Sequence, residues 1–171
     1  WNSAQTVTVT GINDDIDDGN VNSTTTIAIN TGSTADSAYD SVSSQTVTVT
    51  TTDNDTAGFT IAQSSGSTTV AETGSTDNFT VVLTSEPTGN VVFALTDNDT
   101  DNTEISYSPT ALTFTAGNWN SAQTVTVTGV DDSDVDGTIT SAITVAVNTG
   151  STADSTYDSV SSQTVTATTT D

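Results

Sequence analysis

Acidic side chains crowd into four short runs: NDDIDDGN (13–20), TDNDT (52–56), TDNDTDNTE (96–104) and DDSDVDG (131–137). Each run mixes carboxylates with Asn, Ser or Thr, so each offers many oxygens and no basic nitrogen. Carboxylates packed this densely either raise one another's pKa or gather a cation. A hard cation that takes six to eight oxygens in irregular geometry, Ca²⁺, suits such loops better than Mg²⁺, which demands a stricter octahedron. None of the runs has the spacing D-x-[DN]-x-[DN]-G-x5-E of a self-contained calcium loop, so a site would be assembled from separate loops. Paired carboxylates also hydrolyse glycosides, but that chemistry asks for one carboxyl in an apolar cleft with its pKa tuned upward. These acids are numerous and lie on polar turns, so the sequence reads as non-enzymatic.

What is missing narrows the chemistry further. Among 171 residues there are 22 carboxylates and no Lys, Arg, His, Cys or Met, for a formal charge of −22. Without Lys or Arg there is no anion clamp, which excludes nucleic acid as a partner. Without His or Cys there is no ordinary zinc site, no Ser-His-Asp triad and no thiol nucleophile. A folded chain this acidic repels itself unless ions or partners from outside neutralise it. No apolar run approaches the length that spans a membrane, so membrane insertion is not expected.

The elements that must hold these acids follow from a repeat. WNSAQTVTVTG at 1–11 returns at 119–129, and the offset of 118 persists to the end, with 39 identities when 1–53 is laid on 119–171. A fixed period of this size marks tandem domains. Apolar residues alternate with Thr and Ser throughout: Phe79, Val81 and Leu83; Val91, Phe93 and Leu95; Leu112 and Phe114; Val125 and Val127; Ile143, Val145 and Val147. That is the period of half-buried antiparallel strands, and Gly, Asn, Asp and Ser cluster between them as turns. The expected fold is all-β: an immunoglobulin-like antiparallel β-sandwich of about seven strands, in tandem modules. Strands are expected near 57–63, 77–85, 89–97, 104–115, 119–129, 138–148 and 160–169. Residues 57–171 then form a complete module, 54–56 a linker, and 1–53 the C-terminal half of a preceding module. The natural chain is expected to be longer than this sequence.

Antiparallel strands send alternate loops to opposite poles of a sandwich. One pole collects Glu72, Asp77, Asp97, Asp99, Asp101, Glu104, Asp131, Asp132, Asp134, Asp136 and Asp171; the other receives Glu86, Asp154 and Asp158. Two readings of this sorting stand side by side: a calcium site at the acidic pole, or Asx-turns that solubilise the module. Tyr39 and Tyr157 read as packing residues at a loop corner. Thr-x-Thr arrays at 6–10 and 46–52 admit another function, a glycan- or ice-binding surface, against the plainer reading of a β-branched outer face.

The motifs VAETGSTDNFTVVLT (70–84), YSPTALTFTAGNWNSAQTVTVTGVDD (107–132) and TTTDND (50–55) resemble the Calx-beta family, found in tandem in large bacterial surface proteins and in sodium–calcium exchangers. The resemblance spans 57–171 and, as a half-domain, 1–53. It implies calcium ligands at Glu72, Asp97 or Asp99, Asp131 with Asp132, and Asp171, with Asp136 where the family often has Glu. In the first half-module it implies Asp14, Asp18, Asp53 and Asp55. The expected function is a calcium-stabilised, non-catalytic structural module of an extracellular, secreted or cell-surface repeat-array protein, an adhesin stalk or matrix filament. Its expected cofactor is Ca²⁺. Its expected partners are neighbouring modules of the same array, other copies in a filament, and a surface glycan under the alternative reading.

Overall fold

A computed structural model describes residues 2–98 and 104–171. Asp99 and Asp101, both assigned above to the acidic pole, and Trp1 lie outside the described residues. The chain divides into two compact units, one of residues 1–14 and 18–54, the other of 15–17 and 55–171.

The first unit carries one antiparallel hairpin, β1 (Val21–Ile27) with β2 (Gln45–Thr51), paired from Val21 opposite Thr51 to Ile27 opposite Gln45. A 3₁₀ turn at Ser37–Tyr39 follows Asp36, whose side chain accepts the Ala38 N–H. Val7, Val21, Ile27 and Val47 are exposed. The alternating stretch at 6–10 forms no strand.

The second unit is a two-layer sandwich. Its strands are β3 (Phe59–Gln63), β4 (Thr68–Ala71), β5 (Thr76–Leu83), β6 (Val91–Asp97), β7 (Ile105–Ser108), β8 (Ala111–Phe114), β9 (Gln123–Gly129), β10 (Thr138–Val147) and β11 (Gln163–Thr170). One sheet runs β4-β11-β10-β6-β8 and the other β3-β5-β9-β7. The expected strand 104–115 is split between the layers, and β4 falls between two expected strands, where none was expected. After β3, a turn at Ser64–Gly66 places Ser65 at φ 51° and Gly66 at φ 82°. This left-handed pair suits Gly and sharply redirects the chain, and β4 joins the opposite sheet. Pro109, between β7 and β8, has no N–H to give a ladder, and the two strands belong to different sheets. Every pairing is antiparallel except β4 with β11, which is parallel from Thr68 opposite Ala167 to Ala71 opposite Thr170.

The inward rows are those the alternation marks out. Phe79, Val81, Val125, Val127, Ile143 and Val145 are fully buried. Phe93 meets Phe59 edge-on at 4.7 Å between ring centroids and Phe114 at 5.9 Å. Tyr157 is also buried, and its hydroxyl donates to the Ser85 carbonyl at 2.7 Å and lies 2.9 Å from the Ser85 hydroxyl. Phe93→Ala removes the ring on which the other two pack and is expected to cost about 3–5 kcal/mol, read as a lowered urea midpoint for the whole chain.

Candidate metal centre

The sheet order explains which acids meet. Strand β4 is parallel to β11, so both end at the same edge of their sheet; β10 is antiparallel to β11 and begins there. Glu72 directly follows β4, Asp171 directly follows β11, and Asp136 lies two residues before β10. The Glu72 N–H donates to the Thr170 carbonyl at 3.0 Å, tying the two strand ends together. The Gly137 N–H donates to Asp171 Oδ2 at 2.8 Å, which holds the Asp136–Gly137 turn against the end of β11. Gly137 has φ 83°, a conformation that favours Gly. One oxygen from each of Glu72, Asp136 and Asp171 then falls within 4.8 Å of the others.

Glu72 is the unusual member. It is only 7% exposed, and its Oε1 is buried with no hydrogen-bond partner. Burial pushes its pKa up from 4.5 to about 7, helped by the charges of Asp171, Asp132 and Asp136. The nearby Asp171 carboxyl adds to the upward shift.

Asp154 shows what a structurally satisfied buried carboxylate looks like in the same chain. It is 5% exposed, caps the 3₁₀ turn Ser155–Ser159, and accepts from Thr88 N–H at 2.8 Å, Thr88 Oγ1 at 3.0 Å and Thr156 N–H at 3.0 Å. Burial works to raise its pKa, but these hydrogen bonds outweigh it and hold the carboxyl below its ordinary value. Asp77 is similar: its carboxylate takes the Ser64 hydroxyl and the N–H groups of Thr69 and Asn78, and the Ser64 bond leads in lowering its pKa. It straps the turn between β3 and β4. An orphaned buried oxygen facing two exposed carboxylates, with no side-chain cation anywhere in the sequence, fits a hard divalent ion bound through oxygen.

The other acids singled out from the sequence lie as follows. Asp132 is half-buried, adds to the negative field on Glu72, and accepts the Asp134 N–H at 2.7 Å. Asp131 is exposed on the same loop. The Tyr107 hydroxyl donates to the Leu95 carbonyl at 3.3 Å, and its pKa is pushed up to about 12 by burial first and by the half-buried Asp97 second. Asp97 is not part of the gathered trio. Asp99 is not described. In the first unit, Asp14 and Asp18 are exposed and Asp53 is half-buried. Asp53 Oδ2 accepts the Gly19 N–H at 2.6 Å, with Gly19 at φ 77°. This is the Asp171–Gly137 clip at an offset of 118, formed a second time. Asp55, grouped with the second unit, is half-buried. Sequence reasoning passed over the clip, although the paired dipeptides Asp18-Gly19 and Asp136-Gly137 carried a signal for it.

No protein-family model matches the chain, and no curated protein matches it in sequence. Among solved structures, the chain is similar to the apo form of the Calx CBD1 domain at 16% identity and TM-score 0.42, over 66% of this chain and 98% of that one. It is similar to surface layer protein SbsC, domains 1–6, at 23% identity and TM-score 0.42, over 77% of this chain. It is also similar to the Bacteroides ovatus GH5 xyloglucanase in complex with a XXXG heptasaccharide, at 13% identity and TM-score 0.42, over 66% of this chain. The chain spans 15% of the SbsC chain and 18% of the xyloglucanase. These likenesses concern the fold class alone. Among the described residues no helix is long and apolar enough to cross a membrane.

Proposed function

We propose that this chain is a calcium-stabilised structural module of an extracellular repeat-array protein, an adhesin stalk or matrix filament of Calx-beta type, with no catalytic role. The observation that carries the reading is the buried, unpartnered Oε1 of Glu72 facing Asp136 and Asp171. A bound Ca²⁺ would give that oxygen its missing partner and neutralise the mutual repulsion of the three carboxylates. Glu72, Asp136 and Asp171 would hold it, with Asp132 strengthening the field. Because the three residues sit at the ends or starts of three adjacent strands, the ion would fasten β4, β11 and β10 at one edge. The partners proposed are neighbouring modules of the same array. A chain without Lys or Arg offers no cleavage site to trypsin-like proteases, which suits exposure outside a cell.

A thermal melt of the whole chain with and without calcium tests the reading. At a calcium concentration of about 100 Kd the folded state gains about 2.7 kcal/mol, a rise of about 10 °C for a domain of this size. Magnesium at the same concentration is expected to give a smaller rise. Identical melting temperatures in calcium and in chelator overturn the proposal.

A further inference from the structure

We propose that Gly129 is the positioning residue that sets where Glu72 lies relative to Asp136 and Asp171; the inference rests on the calcium reading above. Gly129 closes β9 on the inward row that begins with Val125 and Val127. A side chain there would point at the end of β4. A Cβ built on Gly129 falls 2.1 Å from the Ala71 carbonyl oxygen, 2.7 Å from the Ala71 carbonyl carbon and 3.3 Å from the Ala71 nitrogen. Those are backbone atoms, and the Ala71 carbonyl belongs to the peptide that carries the Glu72 nitrogen. Relief of such a clash must shift the backbone of β9 or of Ala71, and any shift of Ala71 moves the root of Glu72.

The surrounding hydrogen bonds leave Ala71 little freedom. Its carbonyl accepts from Gly74 N–H at 3.1 Å and Ser75 N–H at 3.3 Å, and its N–H donates to Ser75 Oγ at 2.7 Å. The Gly129 N–H donates to the Ser75 carbonyl at 3.0 Å, so the same short turn is fastened to β9 from its other side. Gly129 has no left-handed φ. Its requirement is for space alone, and Ala is conformationally acceptable there. Gly11, which ends the same phrase in the first unit, provides a matched control, since a Cβ there meets only Thr51 Cγ2 at an ordinary 3.5 Å.

The test is calcium affinity measured by titration calorimetry on the full chain, well below the melting temperature. Gly129→Ala is expected to weaken binding about 10–100-fold, the range seen when groups supporting metal ligands are altered, while Gly11→Ala binds as the parent does. A Gly129→Ala chain that melts lower yet keeps the parental Kd overturns the inference, because a purely structural role changes stability without changing affinity. Should Gly129→Ala fail to fold, Ser75→Ala serves in its place. It removes the hydroxyl that holds the Ala71 N–H at an exposed position, and a lowered affinity is expected. Unchanged affinity in Ser75→Ala counts against the inference. A parent chain that binds no calcium overturns the calcium reading itself, whereas a binding parent with equally binding variants overturns only the role of Gly129.

Discussion

Glu72→Gln is expected to raise the melting temperature of the calcium-free chain while removing most of its response to calcium. The two effects have opposite signs because Glu72 has opposite roles in the two states. Without an ion, its carboxylate is buried against the charges of Asp171, Asp132 and Asp136, and Oε1 has no donor. Gln keeps the shape, removes the charge, and brings an amide N–H₂ that donates to the neighbouring carboxylates. With calcium present, the same change deletes one charged ligand from a set of three and replaces it by a weaker amide oxygen. Paired melts of parent and variant, each in chelator and in calcium, read both effects at once. A variant that melts lower than the parent in chelator would mean that Glu72 is a net stabiliser without metal. The orphaned oxygen would then lose its meaning as a sign of a site.

The pH dependence of the calcium-free chain should invert the usual acid-stability trend over part of its range. Glu72 is raised from 4.5 to about 7 in the folded state. Between those values the folded chain binds more protons than the unfolded one, so stability falls as pH rises through the interval. The destabilisation is complete above the folded value and absent below the unfolded one. Asp77 and Asp154 act in the other direction. The Ser64 hydroxyl leads in lowering Asp77, and hydrogen bonds from Thr88 and Thr156 outweigh the burial that would raise Asp154. Their contribution is present above the ordinary Asp value of 3.8 and is lost only as pH drops below it. The calcium-free melting temperature is therefore expected to peak at about pH 4–5 and decline toward about pH 8. Ordinary carboxylates titrate at about pH 4, so the part of the slope from about pH 6 to 8 that disappears both in saturating calcium and in Glu72→Gln reports Glu72. A calcium-free curve that stays level or climbs across that segment would dismiss the coupled site.

The inner rows were legible in the sequence because a strand buried on one face announces itself with a period of two. Phe79, Val81 and Leu83 or Val91, Phe93 and Leu95 needed no tertiary information to be placed on one side. The acid-rich runs were legible too, because they are contiguous in the sequence. Legibility stopped at the choice among the acids. Glu72 meets Asp136 and Asp171 because β4 crosses to the other sheet and runs parallel to β11. Four residues, TTVA, carry no mark of a parallel partner whose paired residues lie 99 positions later in the chain. Asp97 also lies in an acid-rich run, but it ends β6, and that strand lies two places from β11 in the sheet.

The eleven residues WNSAQTVTVTG mark the division most clearly, because the chain contains them twice. The sequence by itself determined that this is an all-β chain of alternating strands, and that any charge balancing its acids must come from outside. Only the tertiary structure decided whether the phrase becomes a strand. At 119–129 it supplies β9, paired with β5 and β7, and Val125 and Val127 are 0% exposed. Over residues 2–11 no strand forms, and Val7 and Val9 are 75% and 54% exposed. Local preference is the same in both copies. A strand's hydrogen bonds and its buried face are supplied by other segments, and the same dependence on distant partners brings the carboxylates of Glu72, Asp136 and Asp171 to one point.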